Sequence, residues 1–382
     1  METLPSKYHA LDRNELQARI TEAKQALGPS LCILGHHYQR EEVIQFADFR
    51  GDSLKLSQIA AEQHEAKYIV FCGVHFMAES ADILSSDEQV VCIPNMRAGC
   101  AMAEMADDQA VASAMDELIA MAGDTAGEKI IPVSYVNSTA AIKAITAKFG
   151  GACCTSSNVR NVFEWALADE KNGGAGGDKI FAVPDQHLAR NTAVMMGYSE
   201  DDCFLYDPSL PAGGLSAEQV RAGKFFLWKG HCYVHQLFTT EQIEWARQKF
   251  PNVKVIVHPE CPRQVVAASD AAGSTSQIIT AVAGAPPGAV LAIGTEENLV
   301  RRLAAKHSDK IIFPLSEASR TPARCAQMAQ IDLPHLLWSL ESIIEGKPVN
   351  VVRVDAETAE LAKIALQRMI DIKAVPGLTK MS

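Results

Sequence analysis

The chain has 382 residues, 48% of them hydrophobic and 21% charged, with a net charge of −11. This is ordinary globular composition in a length that suggests two or three domains. The acidic balance, with no long basic cluster, argues against a nucleic-acid or anionic-membrane partner, while local cations and helix N-termini still allow an anionic substrate.

Residues 1–28 read as a mixed-charge helix without the apolar core of a secretory signal, so a cytoplasmic location is expected. Three groups of strand-like runs follow, separated by helical patterns. The first group is LCILGHHY (31–38), KYIVFCGVHF (67–76) and VVCIPN (90–95). The second is KIIPVSYVN (129–137), GACCTSSN (151–158) and KIFAVPD (179–185). The third is VKVIVHPE (253–260), AVLAIGTE (289–296) and KIIFPL (310–315). Helices are expected over 53–66, 158–170 and 296–307, and the Gly-rich 173–178 and the stretch 207–217 are expected as surface loops. Strands alternating with helices predict a parallel α/β architecture. The long uncharged stretch 271–295 is interrupted by Pro286, Pro287 and Gly288, which argues against a membrane span.

The groups repeat more than a strand pattern. Each first strand ends in groups able to bind or move protons: His36 and Tyr38, then Tyr135 and Asn137, then His258 and Glu260. Each then has a hydroxyl at a turn or helix start (Ser53, Ser156, Thr275) and, after a Pro-containing turn, a cysteine (Cys100, Cys232, Cys325). Ligands of open α/β sheets bind beyond the carboxyl ends of strands. Three units facing inward about a pseudo-threefold axis would bring these ends and the three thiols to one cavity.

Ten cysteines without a CxxC pair argue against disulfides. Three lone thiols on separate units suit an iron–sulfur cluster or a Cys₃ zinc site, against the alternative of unrelated surface cysteines. Three thiolates on a [4Fe–4S] cluster leave one iron open as a Lewis acid. The hydroxyls suit carboxylate or phosphate groups at helix N-termini, the bland alternative being plain N-caps. His258 and Glu260 point to one side of an extended segment and form the best acid–base pair, with Glu260 expected as a base whose pKa burial raises. His37 should face away from His36. Cys261 is left outside the site, Cys154 beside the TSSN turn is the next most plausible stray ligand, and His187 and His235 are read as structural residues.

Laid out in order, GHHYQ, ADFRGDS, AGC, YVNST, CTSSN, PDQHLARNT, WKGHCYVH, HPECP, GST, IGTE and CAQM resemble the quinolinate synthase family over residues 28–345. The resemblance implies three homologous three-layer αβα domains with parallel sheets around a pseudo-threefold axis. These are taken as 1–110, 111–240 and 241–334, with residues 335–382 a candidate addition to the first. It also implies a central [4Fe–4S] cluster held by Cys100, Cys232 and Cys325. The implied reaction condenses iminoaspartate with dihydroxyacetone phosphate to quinolinate, phosphate and two waters, with a functional hand-off from L-aspartate oxidase. His36, Ser53, Tyr135, Asn137, Ser156, His258, Glu260 and Thr275 match substrate-binding positions. Glu260, Tyr38, Tyr135, His36 and His258 match catalytic ones. The chain departs from the family pattern at Ala101, Glu104 and Ala189, none of them a proposed ligand. Two other readings compete: a [4Fe–4S] hydro-lyase of small hydroxy-acids, which needs no phosphate pocket, and a non-enzymatic three-thiolate metal or redox sensor, which needs neither His258 nor Glu260.

Overall fold

The computed structural model describes residues 3–123, 128–372 and 377–380. Met1 and Glu2 of the expected N-terminal helix, and the corresponding parts of the expected domain ranges, lie outside these. Strands β1 (Leu31–His36), β2 (Phe49–Gly51), β3 (Tyr68–Cys72) and β4 (Val90–Cys92) come first. Then follow β5 (Ile130–Tyr135), β6 (Ala152–Cys154), β7 (Lys179–Val183), β8 (Cys203–Tyr206) and β9 (Phe225–Trp228). The last are β10 (Lys254–Val257), β11 (Ala271–Ala272), β12 (Val290–Gly294), β13 (Ile311–Pro314), β14 (Val351–Val352) and β15 (Thr379–Lys380).

They form three five-stranded sheets, ordered β2-β1-β3-β4-β14, β6-β5-β7-β9-β8 and β15-β11-β10-β12-β13. Pairing is parallel except at two added edges, where β14 runs antiparallel to β4 and β15 to β11. Flanking helices make this the α/β architecture expected. β1 and β5 are buried at every position, which is why they read as near-continuous apolar runs. Each sheet contains the same order, a short strand beside the first, then the third, then a fourth. The structure therefore re-registers the repeat. The hydroxyl follows the second strand of each sheet (β2, β6, β11), and the cysteine follows the fourth (β4, β9, β13). In the sequence 67–76 stands beside 151–158, but their structural counterparts are β3 and β6, which occupy different places. The strands β2 and β11, only three and two residues long, carry no readable alternation.

The chain divides into two compact units. One runs up to Cys100 and resumes over Arg324–Ala356; the other comprises Ala101–Ala323 and the residues from Glu357 onward. The first unit contains the first sheet. There the helix Arg13–Leu27, capped by Asp12, lies against Leu333–Ile344, with Arg19 bonded to Glu341, and Tyr8 of the short helix Ser6–His9 bonds the same carboxylate. The second unit contains the other two sheets. Its core includes Phe181, Tyr206 and Trp228, the last two stacked at 5.8 Å. Trp228 Nε1 donates to the Met105 carbonyl at 2.8 Å, which anchors the end of β9 just before the Cys232 loop.

The helices expected over 53–66, 158–170 and 296–307 are Ser53–Glu62, Val159–Leu167 and Glu297–Lys306. The N-terminal helix is broken into Ser6–His9 and Arg13–Leu27. The loops expected to be exposed are partly anchored, with Ala175, Gly177 and Gly213 buried. Among the described residues no helix is long and apolar enough to cross a membrane.

Candidate active site

In the second unit β5 ends at Tyr135, β6 leads into Ser156, and β10 runs into His258 and Glu260. A one-turn helix, Tyr233–Gln236, adds His235. These residues form a single hydrogen-bonded cluster. Tyr135 Oη donates to Glu260 Oε1 at 2.5 Å, and His235 Nδ1 lies 2.7 Å from Glu260 Oε2. The other imidazole nitrogen of His235 is 3.2 Å from Thr295 Oγ1 at the end of β12. The rings of His235 and His258 stack at 4.4 Å, and His258 Nε2 is 3.2 Å from Ser156 Oγ. The backbone N–H of Glu260 donates to His258 Nδ1 at 3.3 Å, so a neutral His258 carries its proton on Nε2, facing Ser156.

Asn191 secures this loop. Its side-chain amide donates to the carbonyls of Pro259 and Cys261, on either side of Glu260, at 2.8 and 2.9 Å. Cys261 turns away, its thiol against the Gly294 carbonyl.

Electrostatics overturn one expectation. Burial alone would push the Glu260 carboxyl up, but the imidazoles of His235 and His258 and the hydrogen bonds from His235 and Tyr135 outweigh it and hold the group low. Glu260 is thus a buried, ionised carboxylate. The acid that burial does raise is Asp185, pushed well up with the Glu260 charge adding to the effect. Asp185 also accepts from the backbone N–H groups of Leu188 and Cys232. Burial, with repulsion from His235, lowers His258 to about 3 and keeps it neutral near pH 7.

The hydroxyls are not plain N-caps. At the helix Ser53–Glu62 the cap is Asp52, which accepts from the Lys55 N–H; at Thr275–Gly284 it is Ser274, which accepts from Gln277. Ser53 and Thr275 therefore occupy the first helical position. In the turn after β6, Thr155 and Asn158 satisfy each other and the local backbone, leaving Ser156 to meet His258. Asn137 contributes a buried Oδ1 that has no protein partner.

In the first unit His36 closes β1, paired to Gly51 of β2, two residues before Ser53. The Tyr38 N–H donates to His36 Nδ1 at 3.1 Å, and the two rings meet edge-on at 4.7 Å. His37 leaves the strand with its backbone N–H on the Gly51 carbonyl.

The cysteines sort into two sets. Seven are buried: 32, 72, 92, 153, 154, 203 and 261. Burial raises their thiols, to about 12 at Cys32, Cys72 and Cys92 and well up at Cys154 and Cys261. The three that are only half-buried are Cys100, Cys232 and Cys325. Cys325 Sγ accepts from the Met328 N–H at 3.5 Å and lies 3.8 Å from Gln327 Oε1. Donor chemistry and exposure therefore fit a thiolate-bound metal group at these three and not at the other seven. Separately, Cys232, His235 and Glu260 place one ligand atom each within 4.8 Å of one another, a group able to hold a metal ion.

Tyr135, Ser156, His258 and Glu260 are thus brought together in the second unit, and His36 and Tyr38 are joined in the first. Asn137 follows β5 and Thr275 opens the helix Thr275–Gly284 in the second unit, while Ser53 opens the helix Ser53–Glu62 in the first. His235, Thr295, Asp185 and Asn191 join the site only in three dimensions. Their one sequence signal is that each lies within a motif already singled out (WKGHCYVH, IGTE, PDQHLARNT).

Parallel sheets flanked by helices, with a buried carboxylate held by a phenol and an imidazole beyond the carboxyl ends of the strands, have the build of an α/β enzyme. A family model described as Quinolinate synthetase A protein matches residues 18–371, and the chain belongs to that family. It is 51% identical over 360 residues to the quinolinate synthase of Streptomyces coelicolor, covering 93% of this chain and 88% of the relative. It is 50% identical over 364 residues to that of a Nocardioides species (95% and 90% covered) and 48% identical over 371 residues to that of Bacillus anthracis (96% of both). All three relatives bear the name of an enzyme, quinolinate synthase.

Proposed function

We propose that the chain condenses iminoaspartate with dihydroxyacetone phosphate to give quinolinate, phosphate and two waters. Cys100, Cys232 and Cys325 hold a [4Fe–4S] cluster, one from each of three domains spanning 1–110, 111–240 and 241–334. When bound, a cluster with three protein thiolates offers an open iron as a Lewis acid for a hydroxyl or carboxylate oxygen. Iminoaspartate is unstable in water, which favours a hand-off from L-aspartate oxidase.

The chain's own residues do the remaining work. Glu260, ionised and aimed by Tyr135, His235 and Asn191, accepts a proton from a carbon acid; Tyr135 and Tyr38 return protons to leaving oxygens. His36 and His258 are each hooked through Nδ1 and present Nε2–H as a donor to carboxylate or phosphate. Ser53, Ser156 and Thr275 add O–H donors at helix starts, where backbone N–H groups and the helix dipole already favour an anion. Asn137 Oδ1 is an acceptor for a substrate donor.

The observation that carries this reading is the buried, ionised Glu260 between Tyr135 and His235. A sensor that reads metal through the three thiolates of Cys100, Cys232 and Cys325 alone has no use for it. Anaerobically purified protein is expected to release phosphate and quinolinate in equal amounts. Serine substitution at Cys100, Cys232 or Cys325 should abolish both activity and the visible cluster absorbance. Full activity in a colourless, iron-free chain would overturn the proposal, and dehydration of hydroxy-acids without phosphate release would favour a hydro-lyase.

A further inference from the structure

The second unit contains a group of side chains with metal-ligating atoms, and it includes only one of the three half-buried thiols. The Sγ of Cys232, a ring nitrogen of His235 and a carboxylate oxygen of Glu260 lie within 4.8 Å of one another. His235 and Glu260 are buried, whereas Cys232 is half-buried and leaves a way in from solvent. The outer atoms of both buried ligands are already engaged. Tyr135 donates to Glu260 Oε1, which leaves Oε2 as the oxygen facing His235 Nδ1. Thr295 Oγ1 meets His235 Nε2, so the proton belongs there when Nδ1 serves as a ligand. A histidine whose second nitrogen is held by an outer acceptor, beside a carboxylate held by an outer donor, is how metal ligands are oriented.

We propose that, in the absence of the cluster, the chain binds one zinc ion through Cys232 Sγ, His235 Nδ1 and Glu260 Oε2, with water in the fourth position. Zinc accepts sulfur, nitrogen and oxygen together in a tetrahedron with bonds of about 2.0–2.3 Å, which places ligand atoms about 3.3–3.7 Å apart. The observed 2.7 Å between Nδ1 and Oε2 must open a little, and the wider gaps, at most 4.8 Å, must close. Both are side-chain adjustments on a loop that Asn191 already fixes. The ion would replace the proton shared between His235 and Glu260. It would also take a thiolate that the cluster requires, so zinc loading and cluster assembly compete. The inference shares Cys232 with the proposed function but does not depend on it, because Cys100 and Cys325 take no part.

The test uses the full-length, metal-stripped, reduced chain with zinc alone, and cobalt(II) as a spectroscopic probe. Expected are one zinc per chain after gel filtration and a sulfur-to-cobalt charge-transfer band. Cys232→Ser and Glu260→Gln should each lose the ion, while Cys100→Ser and Cys325→Ser retain it. Thr295→Val, a mild change that keeps the fold, should weaken binding by about 10- to 100-fold through loss of the outer contact. Far-UV circular dichroism identifies any variant that fails to fold. Three results would overturn the proposal: no zinc retained by the wild-type chain, zinc retained by Cys232→Ser, or zinc lost from Cys100→Ser and Cys325→Ser as completely as from Cys232→Ser. The last would mean that three thiols hold the ion. Loss of quinolinate synthesis in the Cys100 variant with zinc retained would leave both readings standing, each on its own evidence.

Discussion

At the end of β1 the Tyr38 N–H donates to Nδ1 of His36 at 3.1 Å; after β10 the Glu260 N–H donates to Nδ1 of His258 at 3.3 Å. In both places the backbone two residues on fixes the imidazole and leaves Nε2 as the outward nitrogen. The difference lies in what accompanies the hook. Tyr38 is half-buried and lies edge-on to its histidine, while Glu260 is fully enclosed and clamped by Tyr135 and His235. The same backbone hook thus sits beside a half-buried phenol at one strand end and inside a buried, hydrogen-bonded carboxylate cluster at the other. Local backbone geometry sets the histidine, and neighbours distant in sequence set the chemistry.

The strongest way to break this comparison is at the second residue of each pair. Glu260→Gln keeps the shape but removes the charge, and turnover is expected to fall by about 10²–10⁴-fold, the usual contribution of a general base. Tyr38→Phe should cost much less. Equal losses, measured as quinolinate formed per intact cluster under anaerobic conditions, would mean that the two ends share the proton transfer.

A smaller effect separates the hook from the donor. Asparagine can offer an acceptor near the place of Nδ1 but has nothing at Nε2; glutamine does the reverse. His36→Asn and His258→Asn should keep their melting temperatures and lose activity. The glutamine variants should each lose about 1 kcal/mol of stability with the backbone bond. Identical behaviour of Asn and Gln at both sites, in parallel thermal-melt and kinetic measurements, would remove the shared device.

The smallest expected effect concerns the helix starts. Asp52→Ala and Ser274→Ala remove caps and should lower stability by about 1 kcal/mol each. Ser53→Ala and Thr275→Val should leave stability nearly unchanged and raise KM for dihydroxyacetone phosphate. A KM unmoved by the second pair would return those hydroxyls to simple structure.

Much of this was legible before any coordinates. Buried parallel strands are continuous apolar runs, so β1, β5, β7 and β10 declare themselves, and the groups at their ends come with them. The cysteine after each fourth strand is legible as a repeat even though the strand before it in the second sheet, β9, is not among the expected strands. What stayed hidden was set by partners far along the chain. The second strands are too short to show a period and exist only because a neighbouring strand supplies their hydrogen bonds. His235 reads as a structural histidine because nothing nearby in sequence marks it; its carboxylate is 25 residues away and its threonine 60. Glu260 reads as a base raised by burial, since burial is the one influence a sequence suggests.

The amino-acid sequence by itself determined the α/β class, the strand ends and the repeated order of polar group, hydroxyl and thiol. Each of these rests on local periodicity and turn chemistry. Only the tertiary structure decided that Asp52 and Ser274 are the caps, that three cysteines are half-buried, and that Glu260 is ionised. Capping, exposure and ionisation are settled by what packs around a group, and in this chain the phenol that helps hold the Glu260 charge comes from 125 residues away.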